Sequence, residues 1–148
     1  MEKTIENLLP LIKKAVNENS SVRIYPRGKS MMPMIREGVD SVVLSKADDL
    51  KKYDIVFFKS EDSFFSLHRI TKIKNDKIYV CGDNQSKKER ITQRQIIAKV
   101  EKWYRGEKEV LNNDKNYRKY IKKIMLIRPL RRIKRKVIGW LIIFIMIK

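Results

Sequence analysis

Residues 64–84 read Phe-Phe-Ser-Leu-His-Arg-Ile-Thr-Lys-Ile-Lys-Asn-Asp-Lys-Ile-Tyr-Val-Cys-Gly-Asp-Asn, two strands and two turns in succession. Phe64 to Ile73 and Lys77 to Cys81 are rich in β-branched and aromatic side chains, which suit a pleated, half-buried surface. Asn75-Asp76 between them are residue types that tolerate the backbone of a tight hairpin. Outward from this hairpin the same texture recurs at Val22 to Tyr25, Ser41 to Leu44, Ile55 to Phe58 and Ile96 to Tyr104. The stretch from Asp49 to Asp54 reads as a polar loop leading into a strand. Strands do not alternate with helices here, which argues against a doubly wound sheet. The expected fold is mainly β: a bent antiparallel β domain over residues 21–110, without repeats or low complexity.

Both flanks have helical periodicity. In residues 1–20, Ile5, Leu8, Leu9, Ile12 and Val16 recur on one face, with Glu2, Glu6, Lys13 and Lys14 between them. Pro10 fits best in a first turn, which places the expected helix start near Asn7. The charges leave no uninterrupted apolar stretch, and no small-residue cleavage site follows, so a secretory signal is not expected. At the other end, residues 111–148 form a basic helical tail. Tyr117, Tyr120, Ile121, Ile124 and Ile127 share a face among Lys115, Arg118, Lys119, Lys122 and Lys123, and Pro129 interrupts the pattern. Arg131, Arg132, Lys134, Arg135 and Lys136 follow, and then Val137 to Ile147, which is without charge and carries Trp140 near its start.

Charge and length bound the functional classes. The 148 residues suit one core with terminal additions. Net charge is +18, but residues 115–148 hold twelve Lys or Arg and no acid, leaving +6 on the first 114. The basicity therefore describes what the tail touches. A spanning helix needs about 20 apolar residues, so the apolar end is too short to cross a bilayer. A basic helix with a greasy end and a tryptophan reads instead as an anchor on an anionic membrane surface. A packed C-terminal helix and a nucleic-acid arm are the alternatives. The apolar end speaks against the arm, and no nucleic-acid partner is expected. A lone cysteine, Cys81, excludes an internal disulfide framework and suits a reducing compartment. One His and one Cys cannot make a metal site of the usual ligand set, and no cofactor is expected.

Three segments carry chemistry: Gly28-Lys29-Ser30-Met31-Met32-Pro33, Leu67-His68-Arg69-Ile70 and Gly82-Asp83-Asn84. A nucleophilic hydroxyl must project from a turn whose backbone N–H faces the same space, because that N–H stabilises the oxyanion. Gly28 permits such a turn and Pro33 stiffens its exit. His68, the single histidine, has a reference pKa near 6.5 and can accept the serine proton at neutral pH. Arg69 is always charged and a poor proton shuttle, so a structural or substrate-facing place suits it. Each feature also has an ordinary reading, as a turn serine, a satisfied strand histidine and an Asx turn. Cys81 sits inside an apolar strand and suits a small buried residue better than a nucleophile.

In order and spacing the three segments resemble the signal peptidase I / LexA-like superfamily of serine peptidases, and within it the branch that uses histidine in place of lysine, as archaeal, sporulation-type and ER-type signal peptidases do. The likeness covers roughly residues 20 to 105. It implies Ser30 as nucleophile, His68 as general base and Asp83 as the acid that orients the imidazole, with Asp40 and Asp54 as weaker rivals. Met31, Met32 and Met34 are then candidates for the substrate-binding wall. Two departures stand out. An extra Val39 separates Gly38 from Asp40, and Gly28 occupies the place where some relatives carry a second oxyanion donor.

The resemblance implies a serine endopeptidase that processes a leader or signal segment through a Ser-His dyad and an acyl-enzyme. Its expected partners are a precursor polypeptide and an anionic membrane surface, with the basic cluster holding the enzyme at the cytoplasmic face. Its rising pH limb is expected within a unit or two of 6.5, and higher if Asp83 stabilises the imidazolium. The alternatives are a LexA-like self-cleaving regulator and a non-catalytic basic binding module on a peptidase scaffold.

Overall fold

In chain order the elements are α1 (Ile5–Asn17), β1 (Val22–Ile24), β2 (Ser41–Ser45), β3 (Ile55–Lys59), β4 (Phe65–Lys74), β5 (Lys77–Cys81), β6 (Glu89–Ile91), a short 3-10 turn (Gln93–Gln95), β7 (Ile96–Arg105), β8 (Lys108–Val110) and α2 (Lys115–Met146). The structure, a computed structural model, describes residues 5–111 and 114–146, and their side chains apart from those of 132 and 134–146. The strands form one antiparallel sheet in the order β1-β2-β7-β3-β4-β5-β6, with β8 paired to β7. The fold is the mainly β architecture expected, with a helix at either end.

The β4–β5 hairpin closes at Lys74↔Lys77, with Asn75 and Asp76 at φ 48° and 58°. Positive φ at both central positions gives a turn whose twist matches that of the strands, and Asn and Asp tolerate it better than branched residues. Register shifts at Val43/Leu44, Phe57/Phe58 and Ile70/Lys72 are β-bulges, and bulges bend and twist the strands that carry them. The bent sheet serves two apolar clusters. Ile55, Phe57 and Leu67 join Ile12, Val16, Leu44, Val100 and Trp103 in the larger, while Val56, Phe58, Ile70, Ile78, Val80 and Ile91 form the smaller. A strand buried on both faces needs a continuous apolar run, which is why Ile55 to Phe58 lacks polar alternation.

Four local expectations are corrected. Helix α1 already includes Ile5, with Pro10 inside it rather than in a first turn near Asn7. Glu6, whose carbonyl loses its partner at Pro10, is exposed, so water can satisfy it. Strands β6 and β8 went unread because Glu89-Arg90-Ile91 and Lys108-Glu109-Val110 are short and largely charged, and neighbours rather than propensity make them strands. Helix α2 continues through Pro129. Its first half is not a free tail: Tyr117 and Ile121 join the larger cluster, and Ile124 and Arg128 are also buried. No helix among the described residues is long and apolar enough to cross a membrane.

Candidate active site

Ser30 lies in the turn that follows β1. Gly28 enters it at φ 90°, and its N–H donates to the Glu37 carboxylate at 2.8 Å. The Gly82-Asp83-Asn84 turn holds this segment from the other side. The Asn84 backbone N–H donates to the Ser30 carbonyl at 2.8 Å, and the Asn84 side-chain amide donates to the Lys29 carbonyl at 3.2 Å. Gly82 makes that approach possible, since a Cβ there would lie 2.6 Å from the Ser30 carbonyl oxygen and 3.1 Å from its Cβ. The alternative to Gly is a displaced serine. Gly82→Ala should therefore cut peptide cleavage by about a hundredfold while costing only about 1–3 kcal/mol of stability. Steady-state kinetics beside a urea titration checks this; wild-type turnover in a folded variant would show that the contact does not position Ser30.

His68 stands on β4 opposite Val56, buried, with its ring 5.6 Å from that of Phe58. Its Nδ1 is buried without a hydrogen-bond partner. Burial lowers the imidazole pKa to about 4; the Asp83 charge opposes this and the Arg128 charge adds to it. The residue is thus neutral, and able to accept a proton, throughout the physiological range.

Ser30 and His68 line one cleft of about 330 Å³, together with Gly28, Met31, Ile35, Phe64, Phe65, Leu67 and Gln85. No hydrogen bond joins the two side chains, and the Ser30 N–H donates to no group among the described residues. Of the three methionines proposed for the wall, only Met31 is there. Met34 is turned into the core, where its sulfur accepts from Arg69 Nη2 at 2.9 Å, and Met32 does not line the cleft. The apolar wall comes instead from Ile35 and from the start of β4, which sequence reading passed over because Phe64 to Leu67 looked like core strand.

Asp83 is engaged by Arg69 rather than by His68. Its carboxylate does not accept a hydrogen bond from His68. Arg69 Nε donates to Oδ1 at 2.9 Å and Nη2 to Oδ2 at 2.7 Å, with both side chains fully buried. The Tyr120 hydroxyl donates to Oδ2 at 3.3 Å, and Arg128 Nη2 lies 3.8 Å from Oδ1. Successive residues of a strand point to opposite faces, so a carboxylate bound to Arg69 is drawn away from its neighbour His68. Burial works against the Arg69 charge, but the hydrogen bond and charge of Asp83 outweigh it and raise the guanidinium pKa. Burial and the Asp83 charge push the Tyr120 phenol up, keeping it a donor. Arg69 Nη1 also donates to the Tyr53 carbonyl at 3.0 Å and to the Tyr117 hydroxyl at 2.8 Å. Arg131 donates to the Asp83 carbonyl at 2.8 Å and Arg128 to the Gly82 carbonyl at 3.4 Å, so with Tyr120 three side chains of α2 grip the turn. The weaker rivals are placed elsewhere, Asp40 paired with Arg36 and Asp54 accepting from the Lys51 N–H.

A family model described as Peptidase S24-like matches residues 1–101. The chain belongs to the Peptidase S24-like family. That places it in the LexA/signal peptidase superfamily of serine peptidases, which the three segments resembled. No curated protein matches the chain. The family match takes in Ser30, His68 and Asp83, and ends before β8 and α2.

Proposed function

We propose that this S24-like protein is a serine endopeptidase in which Ser30 attacks the scissile carbonyl and His68 accepts the serine proton. The observation that carries it is the content of the cleft: among the described residues, His68 is the one lining side chain beside Ser30 that can take a proton at neutral pH, and no lysine or carboxylate lines the space. Ser30 Oγ bonds to the carbonyl carbon as its proton passes to His68, and the Ser30 N–H is the donor available to the oxyanion. The imidazolium returns the proton to the leaving amine as the C–N bond breaks, leaving an acyl-serine. Water, deprotonated by the same imidazole, then releases the acid. The cleft's apolar wall of Met31, Ile35, Phe65 and Leu67 suits the apolar side chains of a leader or signal segment, the substrate class we assign.

The test is a pH profile of kcat/KM on the best peptide found by mass spectrometry in a digested peptide library. Cleavage needs neutral His68, so the rate rises as His68 loses its proton, with a limb near pH 4 rather than at or above 6.5. A flat profile through neutrality is expected. A limb on the alkaline side of pH 7 would assign the base to another group. The S24-like match also favours a second reading, self-cleavage as a switch. Incubating wild type with tagged Ser30→Ala chain separates the two, because a self-cleaving switch leaves library peptides intact and cuts its own chain.

A further inference from the structure

Helix α2 has two working faces. Tyr117, Ile121, Ile124 and Arg128 are buried against the domain. On the opposite side Leu126, Leu130 and Ile133 are 73%, 61% and 58% exposed. Their spacing of four and three residues puts them in one stripe along the helix. One turn earlier on the same side, Lys119, Lys122 and Lys123 are exposed, and α2 contains no acidic residue. The sequence repeats the spacing at Val137, Trp140, Leu141 and Phe144, whose side chains lie outside the described residues. The other exposed apolar residues, Leu11, Tyr25, Val39, Phe64, Ile73 and Leu111, stand on other elements or loops and continue no such stripe.

We infer that the outer face of α2 is a docking surface for an anionic membrane, with Leu126, Leu130 and Ile133 entering the acyl boundary and Lys119, Lys122 and Lys123 meeting the headgroups. The attachment begins on the folded domain itself, at residues that share a helix with the side chains holding the Asp83 turn. Charge selects this occupant. Nucleic acid would use the lysines and leave three large aliphatic side chains in water. A second copy would cover the leucines but set one lysine-rich, acid-free helix against another. Anionic lipid satisfies both the stripe and the lysines, whose long stems allow the charges to stay at headgroup level. The inference goes beyond the peptidase reading and does not depend on it.

The experiment is cosedimentation of the full chain with vesicles of phosphatidylcholine alone and of phosphatidylcholine with phosphatidylglycerol. Wild type is expected to bind the anionic vesicles, less at high salt but still measurably, since apolar insertion is not screened. Leu126→Glu with Leu130→Glu should lower the partition coefficient by about tenfold or more. Lys119→Gln, Lys122→Gln and Lys123→Gln together should reduce binding to anionic vesicles by about tenfold or more. All six positions named in the inference are exposed, so thermal midpoints should match wild type, and the lysine variant keeps the test open should the glutamates perturb the helix. Equal sedimentation of wild type and the lysine variant overturns the inference. So does equal affinity for neutral vesicles, or a concentration-dependent dimer abolished by the glutamates in a chain that binds no vesicles.

Discussion

Ser30→Ala is expected to abolish peptide cleavage, with turnover falling by about 10⁴-fold or more and folding unchanged. The size of the effect follows from covalent chemistry: without Oγ no acyl-enzyme forms, and the rest of the cleft can offer only binding and a polarised carbonyl. The unchanged stability follows from the surroundings. Ser30 is only partly buried and holds its place through its own carbonyl, which accepts from the Asn84 N–H whatever the side chain is. His68→Ala should reach nearly the same floor, and the double variant should be little worse than either single one, because members of a catalytic unit are not additive. The readouts are kcat/KM and a urea midpoint for each variant. A folded Ser30→Ala protein that still turns over at the wild-type rate would remove the serine from the mechanism, and additive losses would separate His68 from it.

The sheet was legible because its strands are locally self-consistent. Lys77 to Cys81 was bounded to the residue, and the Asn75-Asp76 turn has the chemistry its backbone demands. Ser30 and His68, which the fold brings to one cleft, each sit in a short local pattern that sequence can display. The partners of Asp83 do not. Arg69 is fourteen residues away and Tyr120 thirty-seven, and nothing at either position marks it as a ligand of that carboxylate. Asp83 was assigned to the nearest catalytic need, whereas a fully buried carboxylate goes first to the strongest available donor, a guanidinium that can bind both its oxygens. Burial lowers the His68 pKa for a related reason. The reference value near 6.5 supposes a hydrated ring, and only the fold reveals that Phe58 and the sheet exclude that water. In the tail, periodicity marks one apolar face and leaves a packed helix as an alternative to the anchor, and the fold commits Tyr117, Ile121, Ile124 and Arg128 of that face to the domain.

Asp83→Asn is expected to cost about 3–5 kcal/mol of stability, the usual penalty for removing one partner of a buried ion pair. The carboxylate is fully buried and receives two bonds from Arg69 and one from Tyr120, with Arg128 close by. An amide can accept at one atom only, so part of the fork is left facing an N–H donor. If the loss belongs to the pair, Asp83→Leu combined with Arg69→Met should cost less than the sum of the single changes, the coupling that a double-mutant cycle isolates. The same substitution reports on His68. Asp83 opposes the burial that lowers the imidazole pKa, so removing its charge must lower that pKa further, below about 4. A weaker base takes the serine proton less readily, so kcat should fall at every pH even in the folded fraction. Because the chain has one histidine, its ring Cε1–H resonance is assigned without mutagenesis, and an NMR titration follows it directly. A downward shift with lost stability fits an acid that acts through Arg69 and its own charge. An unchanged His68 titration would confine Asp83 to holding the turn, and a stability loss below about 1 kcal/mol would mean that the Arg69 pair is not the buried, paired charge the geometry describes.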